Sequence, residues 1–153
     1  MRTKLLLKLT FLLVAGALVL TSCNAGSPRD FAEKFIAAEK KAWMTGETGD
    51  LEAVEDANIK FHLPGAELTG WPAHKDYIVK GRATVPDLKQ DWQYLSGEGN
   101  HIVLSYAATA TVGGLPTTLN YLFVLRLGNG KVVEIWANGT TATDKPAESA
   151  TQQ

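Results

Sequence analysis

His62 and Glu134 are the side chains whose types and settings point most directly to proton transfer. His62 sits in the alternating run Ile59-Lys60-Phe61-His62-Leu63, and Glu134 in Lys131-Val132-Val133-Glu134-Ile135-Trp136. An imidazole titrates near neutrality, and burial can bring a carboxylate there too. By strand parity His62 shares a face with Lys60, away from Phe61. It reads either as a pocket base or hydrogen-bond donor, or as a histidine on the back of a sheet, and a bulge would reverse the parity. Glu134, Trp136, Asn138 and Thr140 share a face at even offsets. If that face lines a pocket, Glu134 serves as base; otherwise it is a solvent- or dimer-facing acid paired with a lysine. Asp87 and Asp91 stand four apart and share a strand face opposite Trp92. His74 and His101 have no second ligand at metal spacing, so no metal site is expected. No Gly-x-Ser-x-Gly, phosphate-loop or dinucleotide pattern is present, so no cofactor is expected.

Trp43, Trp71, Trp92, Tyr106, Tyr121 and Trp136 form a large aromatic set for a small domain. Most must be core, but Trp and Tyr keep a polar end, so these residues and Asn138 are the candidate lining of a ligand cavity.

The chain has one cysteine, Cys23, behind a basic start (Arg2, Lys4, Lys8) and an apolar run from Leu9 to Leu20. That order is a secretory signal. The run is about a dozen residues, short of the ~20 a spanning helix needs. Leu20-Thr21-Ser22-Cys23 resembles the lipobox of bacterial lipoproteins. The resemblance implies cleavage before Cys23, a lipid on its thiol, and a place on the cell envelope. Asn24 after the cysteine points to the outer membrane where a cell has one.

Residues 1–22 then leave as signal peptide, and 131 residues remain. All sixteen acidic residues stay and twelve of the fifteen basic ones, a formal charge of −4. There is no basic block, so nucleic acid is not an expected partner. Residues 23–29 read as a polar tether. Residues 139–153 lack aromatics and branched aliphatics and read as a disordered tail. The folded domain is expected over 30–138.

Within it, Asp30-Phe31-Ala32-Glu33 reads as a capping-box helix start, with Phe31, Phe35, Ile36, Ala42 and Trp43 at helical spacing. Asp50 caps a short second helix, and residues 73–80 form a third. One strand, 59–63, lies between the second and third helices. After Pro86 the pattern turns to strands, with turns at Ser96–Asn100, Gly113–Pro116 and Gly128-Asn129-Gly130. Segregated helices and strands predict an α+β fold. Long strands in a small domain must curl, and helices closing one side leave an apolar hollow.

Four stretches resemble the SnoaL-like, predicted ester cyclase branch of the NTF2-like superfamily. They are Ala42-Trp43-Met44-Thr45-Gly46-Glu47-Thr48-Gly49-Asp50-Leu51, Phe61-His62-Leu63-Pro64-Gly65 with Leu68-Thr69-Gly70, Val85-Pro86-Asp87-Leu88, and Gly130-Lys131-Val132-Val133-Glu134-Ile135-Trp136. The resemblance implies a cone of three N-terminal helices packed on a strongly curved, mixed but mostly antiparallel sheet, often a homodimer through that sheet. It gives Asp87 a structural role after Pro86. It also implies a catalytic Asp four residues after the final-strand Trp, where this chain has Thr140. A hydroxyl has no useful acid-base pKa near neutrality. The expectation is therefore a lipid-anchored domain that binds a small apolar ligand or an envelope partner without turnover. Its alternatives are a SnoaL-like cyclase or isomerase acting on a carbonyl compound, with His62 or Glu134 as base, and an accessory envelope protein with a filled cone.

Overall fold

The computed structural model describes residues 26–143. Ser27 starts the first helix, α1 (Pro28–Thr45). Its hydroxyl accepts from the Asp30 backbone N–H at 3.2 Å, and the Asp30 carboxylate accepts from the Ser27 N–H at 2.9 Å. The capping box is thus Ser27–Asp30, three residues before the expected Asp30–Glu33, because Pro28 fits the first helical position and the box closes around it. Part of the expected tether, Pro28 and Arg29, is therefore helix. Gly46, at φ 83°, ends α1. Ala32, Phe35, Ala38, Glu39 and Ala42 form its buried stripe.

Helix α2 (Gly49–Val54) buries Leu51, and α3 (Trp71–Thr84) buries Trp71, His74 and Ile78. The strands are β1 (Glu55–Leu63), β2 (Ala66–Thr69), β3 (Lys89–Glu98), β4 (His101–Val112), β5 (Leu115–Gly128) and β6 (Lys131–Thr143). They form one sheet in the order β2-β1-β6-β5-β4-β3. Only the β1–β6 pair is parallel among these strands. The fold is α+β, as the segregated pattern predicts.

Strand β2 was not expected. Its four residues, mostly exposed, carry no apolar alternation, and it pairs with β1 across the Pro64–Gly65 turn. Residues 139–143, expected in a loose tail, belong to β6 and pair with Thr117–Tyr121. Backbone pairing, not apolar side chains, holds them there. The signal segment, Cys23 and the tail beyond Thr143 lie outside the described residues. Asn129 (φ 52°) and Gly130 (φ 75°) make the tight β5–β6 turn that their sequence announces.

Register shifts in β1, in β3 between Tyr94 and Ser96, and in β5 between Arg126 and Leu127 help the sheet bend. Its inner face carries Phe61, Trp92, Leu104, Phe123, Leu125 and Ile135, packed against the buried stripes of α1 and α3. Each large apolar side chain fully buried there contributes about 1.5–3 kcal/mol. Asp87 fastens the start of β3 to the end of β4, accepting from the Thr111 N–H at 2.9 Å and the Thr111 hydroxyl at 2.7 Å. Those bonds hold its carboxyl below the usual range.

Gly139 has no room for a side chain. A Cβ there would overlap the Asn120 carbonyl oxygen and lie 2.6 Å from Tyr121 Cα. Gly139→Ala is expected to lower stability by about 2 kcal/mol through overpacking, read as a reduced midpoint in urea. An unchanged midpoint would show that β6 gives way there at no cost.

Candidate functional site

Between the inner sheet face and the helices lies a partly open cavity of about 470 Å³. Aromatic rings supply much of its wall. Trp92 and Tyr106 lie 4.5 Å apart, and Trp92 and Phe123 4.9 Å, centroid to centroid. Trp43 and Tyr77 meet edge to face at 5.9 Å nearby.

Two ionisable side chains of opposite type also form this wall, Glu39 from α1 and His74 from α3. Each stands at a stripe position that helical spacing reserves for apolar residues. Glu39 is four after Phe35 and three before Ala42; His74 is three after Trp71 and four before Ile78. His74 Nδ1 meets Glu55 Oε2 at 2.9 Å, and its Nε2 faces Glu39 Oε1 at 3.9 Å. All three side chains are at most 4% exposed. Glu55 opens β1, where Lys131 Nζ donates to its carbonyl at 2.9 Å and to that of Glu52 at 3.1 Å. Phe61 and Trp71 pack edge-on against the imidazole and fix its plane.

Burial pushes the Glu39 carboxyl up to about 7, with His74 pulling the other way. Burial opposes a charge on His74, but the bond to Glu55 and the two carboxylates outweigh it, so His74 titrates above its ordinary value. Glu39 Oε2 and Glu55 Oε1 have no hydrogen-bond partner among the described residues. The three groups lie within 4.8 Å of one another, close enough to be tested as cation ligands. However, the carboxylates address opposite ring nitrogens, and a metal would take only one of them. With Glu55 on Nδ1, only His74 Nε2 and Glu39 are left to face a common point, too few for a coordination sphere. The arrangement is a hydrogen-bonded Glu55–His74 pair with Glu39 3.9 Å beyond it, outside direct hydrogen-bond reach.

The two helices that carry Glu39 and His74 are joined at the cavity rim. Arg82 Nε donates to the Trp43 carbonyl at 2.7 Å and its Nη2 to the Met44 carbonyl at 3.0 Å, so α3 caps the C-terminal end of α1. Gly81 lets the Trp43 ring lie flush against α3, since a Cβ there would stand 2.6 Å from Trp43 Cη2.

His62 and Glu134 do meet, but on the opposite face of the sheet. His62 Nε2 lies 2.9 Å from Glu134 Oε1, and its Nδ1 3.0 Å from Glu67 Oε1. Arg126 grips Glu134 through Nε and Nη2, at 3.0 and 2.6 Å. Hydrogen bonds from His62 and Arg126 hold the Glu134 carboxyl low, and those to Glu134 and Glu67 hold His62 high. Trp136 stacks on His62 at 5.6 Å and is partly exposed. Asn138 and Thr140 border a shallow depression on that outer face. Of the aromatic candidates, Trp43, Trp92, Tyr106 and Tyr121 line the cavity, whereas Trp71 lies in the core beside His74. The acid and histidine that the structure places in the cavity wall are Glu39 and His74, not the expected candidates His62 and Glu134. An acid and a histidine inside two apolar stripes were the signal that could have found them.

The SnoaL-like domain family matches residues 32–135. No curated protein matches the chain. Among similar solved structures, Bal32a from a soil-derived mobile gene cassette superposes with a TM-score of 0.66 at 18% identity, over 74% of this chain and 92% of that one. IdmH of Streptomyces antibioticus, to which a polyketide cyclase role is ascribed, gives 0.61 at 18% identity, over 74% and 92%. An NTF2-like protein of unknown function from Exiguobacterium sp. 255-15 gives 0.62 at 19% identity, over 72% and 98%. At these identities the likeness is one of fold.

A carboxyl whose pKa is raised on folding destabilises the folded state once pH exceeds its unfolded value. The folded protein then binds more protons than the unfolded chain, so stability falls with rising pH from 4.5 to about 7. Above that window the penalty is on the order of 3 kcal/mol. Glu39→Gln is therefore expected to stabilise the protein at pH 8 and to do little at pH 4. Urea unfolding of both proteins at the two pH values checks this, and equal or lower stability of the variant at pH 8 would refute it.

Proposed function

The chain belongs to the SnoaL-like family, and on that premise we propose that it transfers protons on a small carbonyl compound held in the cavity. The observation that carries this reading is the buried carboxyl of Glu39 beside the Glu55-paired His74, in a wall otherwise made mostly of apolar and aromatic groups. Ionised Glu39 is the base. It takes the proton from the carbon next to the carbonyl, an O–H bond forms as the C–H bond breaks, and the freed electron pair moves onto the carbonyl oxygen. The same carboxyl returns the proton at the same or a neighbouring carbon, giving exchange, isomerisation or ring closure. His74, held by Glu55 through Nδ1, presents its other ring nitrogen towards Glu39 at 3.9 Å. Thr140, at the position where the family resemblance would put an acid, borders the outer depression. In this reading α1 and α3 supply the acid-base pair instead.

Exchange is the simplest test. Small cyclic ketones incubated with the protein in deuterated water should gain deuterium next to the carbonyl faster than in buffer. The rate should climb with pH through about 7, where Glu39 ionises. Glu39→Gln should lower it by about 10²–10⁴-fold. Exchange no faster than buffer across a panel of ketones, or a rate that ignores Glu39, would sink the proposal.

We also propose that Cys23 carries a lipid that tethers the domain to the envelope. The support is the lipobox-like Leu20-Thr21-Ser22-Cys23 behind a basic and then apolar leader. No helix among the described residues is long and apolar enough to cross a membrane. Cys23→Ser is expected to move the protein from the detergent-rich to the aqueous phase in cloud-point partitioning, with loss of a diacylglycerol-sized mass. Equal partitioning of both forms would rule the anchor out.

A further inference from the structure

We infer that the cavity selects a ligand bearing a positive charge, an ammonium-type nitrogen carried on an apolar or aromatic body. This rests on the cavity being the working site, as proposed above, and names the class of molecule that it takes.

The charge inventory of the wall leads there. Glu39 and His74 are its acidic and basic members, and among the described residues the wall has no lysine, arginine or aspartate. His74 is already engaged by Glu55 at 2.9 Å. Charged, that pair cancels and leaves Glu39 a full bond length farther off, at 3.9 Å from the ring nitrogen. Among the described residues Glu39 Oε2 is buried with no hydrogen-bond partner of good geometry, and only the Trp43 side chain stands near enough to ease its carboxyl's charge. The nearby cations are committed elsewhere: Arg82 to the carbonyls of Trp43 and Met44, and Lys131 to those of Glu52 and Glu55. An ionised Glu39 is thus a buried anion without a counter-charge of its own, which is costly until a proton or a cation meets it. A carboxylate or phosphate ligand would add to the imbalance; an ammonium would cancel it.

The aromatic wall favours the same ligand. Trp92, Tyr106 and Phe123 stand with centroids 4.5, 4.9 and 5.7 Å apart and planes inclined by 57°, 50° and 76°. The three rings pack on one another, and where they border the cavity their π faces can meet a cation held there. Alkylated ammonium groups suit such a site, because their methyls bury as apolar surface while the charge reaches the rings and the carboxylate.

The test compares two probes of nearly equal shape, phenyltrimethylammonium and tert-butylbenzene, by tryptophan fluorescence at pH 8. The wild-type protein is expected to bind the ammonium at least tenfold more tightly. Glu39→Gln should weaken the ammonium at least tenfold and leave the hydrocarbon within twofold. Equal or tighter binding of the hydrocarbon by the wild type overturns charge selection, as does an ammonium affinity indifferent to Glu39. If the hydrocarbon wins while Glu39-dependent exchange on neutral ketones persists, charge selection falls and the proton-transfer reading stands. If the ammonium wins through Glu39 but exchange fails, the cavity is a cation receptor without turnover. If neither probe binds, the inference is overturned together with the cavity as a ligand site.

Discussion

Two carboxylates and an imidazole share one almost fully buried corner of the protein, and their charges do not balance with all three ionised. Water would ordinarily solvate such groups at little cost, but here the protein must do it. Glu55 and His74 solve half of the problem with a 2.9 Å contact. Glu39 is left to hold a proton near neutrality or to find another partner. Removing one member of a buried pair typically costs about 3–5 kcal/mol, so the arrangement constrains everything near it. Phe61 and Trp71 must hold the ring, Lys131 must hold the start of β1, and the turn between α2 and β1 must be tight enough to bring Glu55 under α3.

The outer face of the same sheet carries a group of similar composition with different physics. His62, Glu67, Glu134 and Arg126 satisfy one another by hydrogen bonds, and two of the four, Glu67 and Arg126, are more than a third open to solvent. Exposed ion pairs are worth about 0–1 kcal/mol each, since water and salt compete for them. Shifts there oppose acid-base work: hydrogen bonds hold the carboxyl low and the imidazole high, each favouring its charged form. On the inner face burial pushes Glu39 the other way, towards the pH at which it can both take and return a proton. Residue type alone does not separate the two clusters; burial and the number of partners do.

Much of the architecture was legible because it is local. The long β4 and β5 strands announce themselves by alternation, Asn129-Gly130 by its need for positive φ, and the helices by their apolar stripes. What escaped depends on distant partners. β2 and the end of β6 have little apolar pattern and are held by backbone pairing to β1 and β5. Strand parity put His62 with Lys60 and Glu134 with Trp136, but not that the two sets share a face or which face looks inward, since pairing and helix packing decide both. Glu39 was visible as an acid inside an apolar stripe, yet its meeting with His74 is set by how α1 docks on α3, which neither helix encodes alone.

That docking has a consequence for how the acid strength is governed. Arg82 and Gly81 join the two helices near Trp43, one helical turn beyond Glu39 and two turns beyond His74. The gap between the carboxylate and the imidazole is therefore a lever arm whose fulcrum lies at the rim. A small slide of the fulcrum lengthens or shortens that gap with no change in either reacting side chain. Arg82, which stands outside the cavity wall, thus bears on the acid strength of Glu39 through the spacing that it sets between α1 and α3.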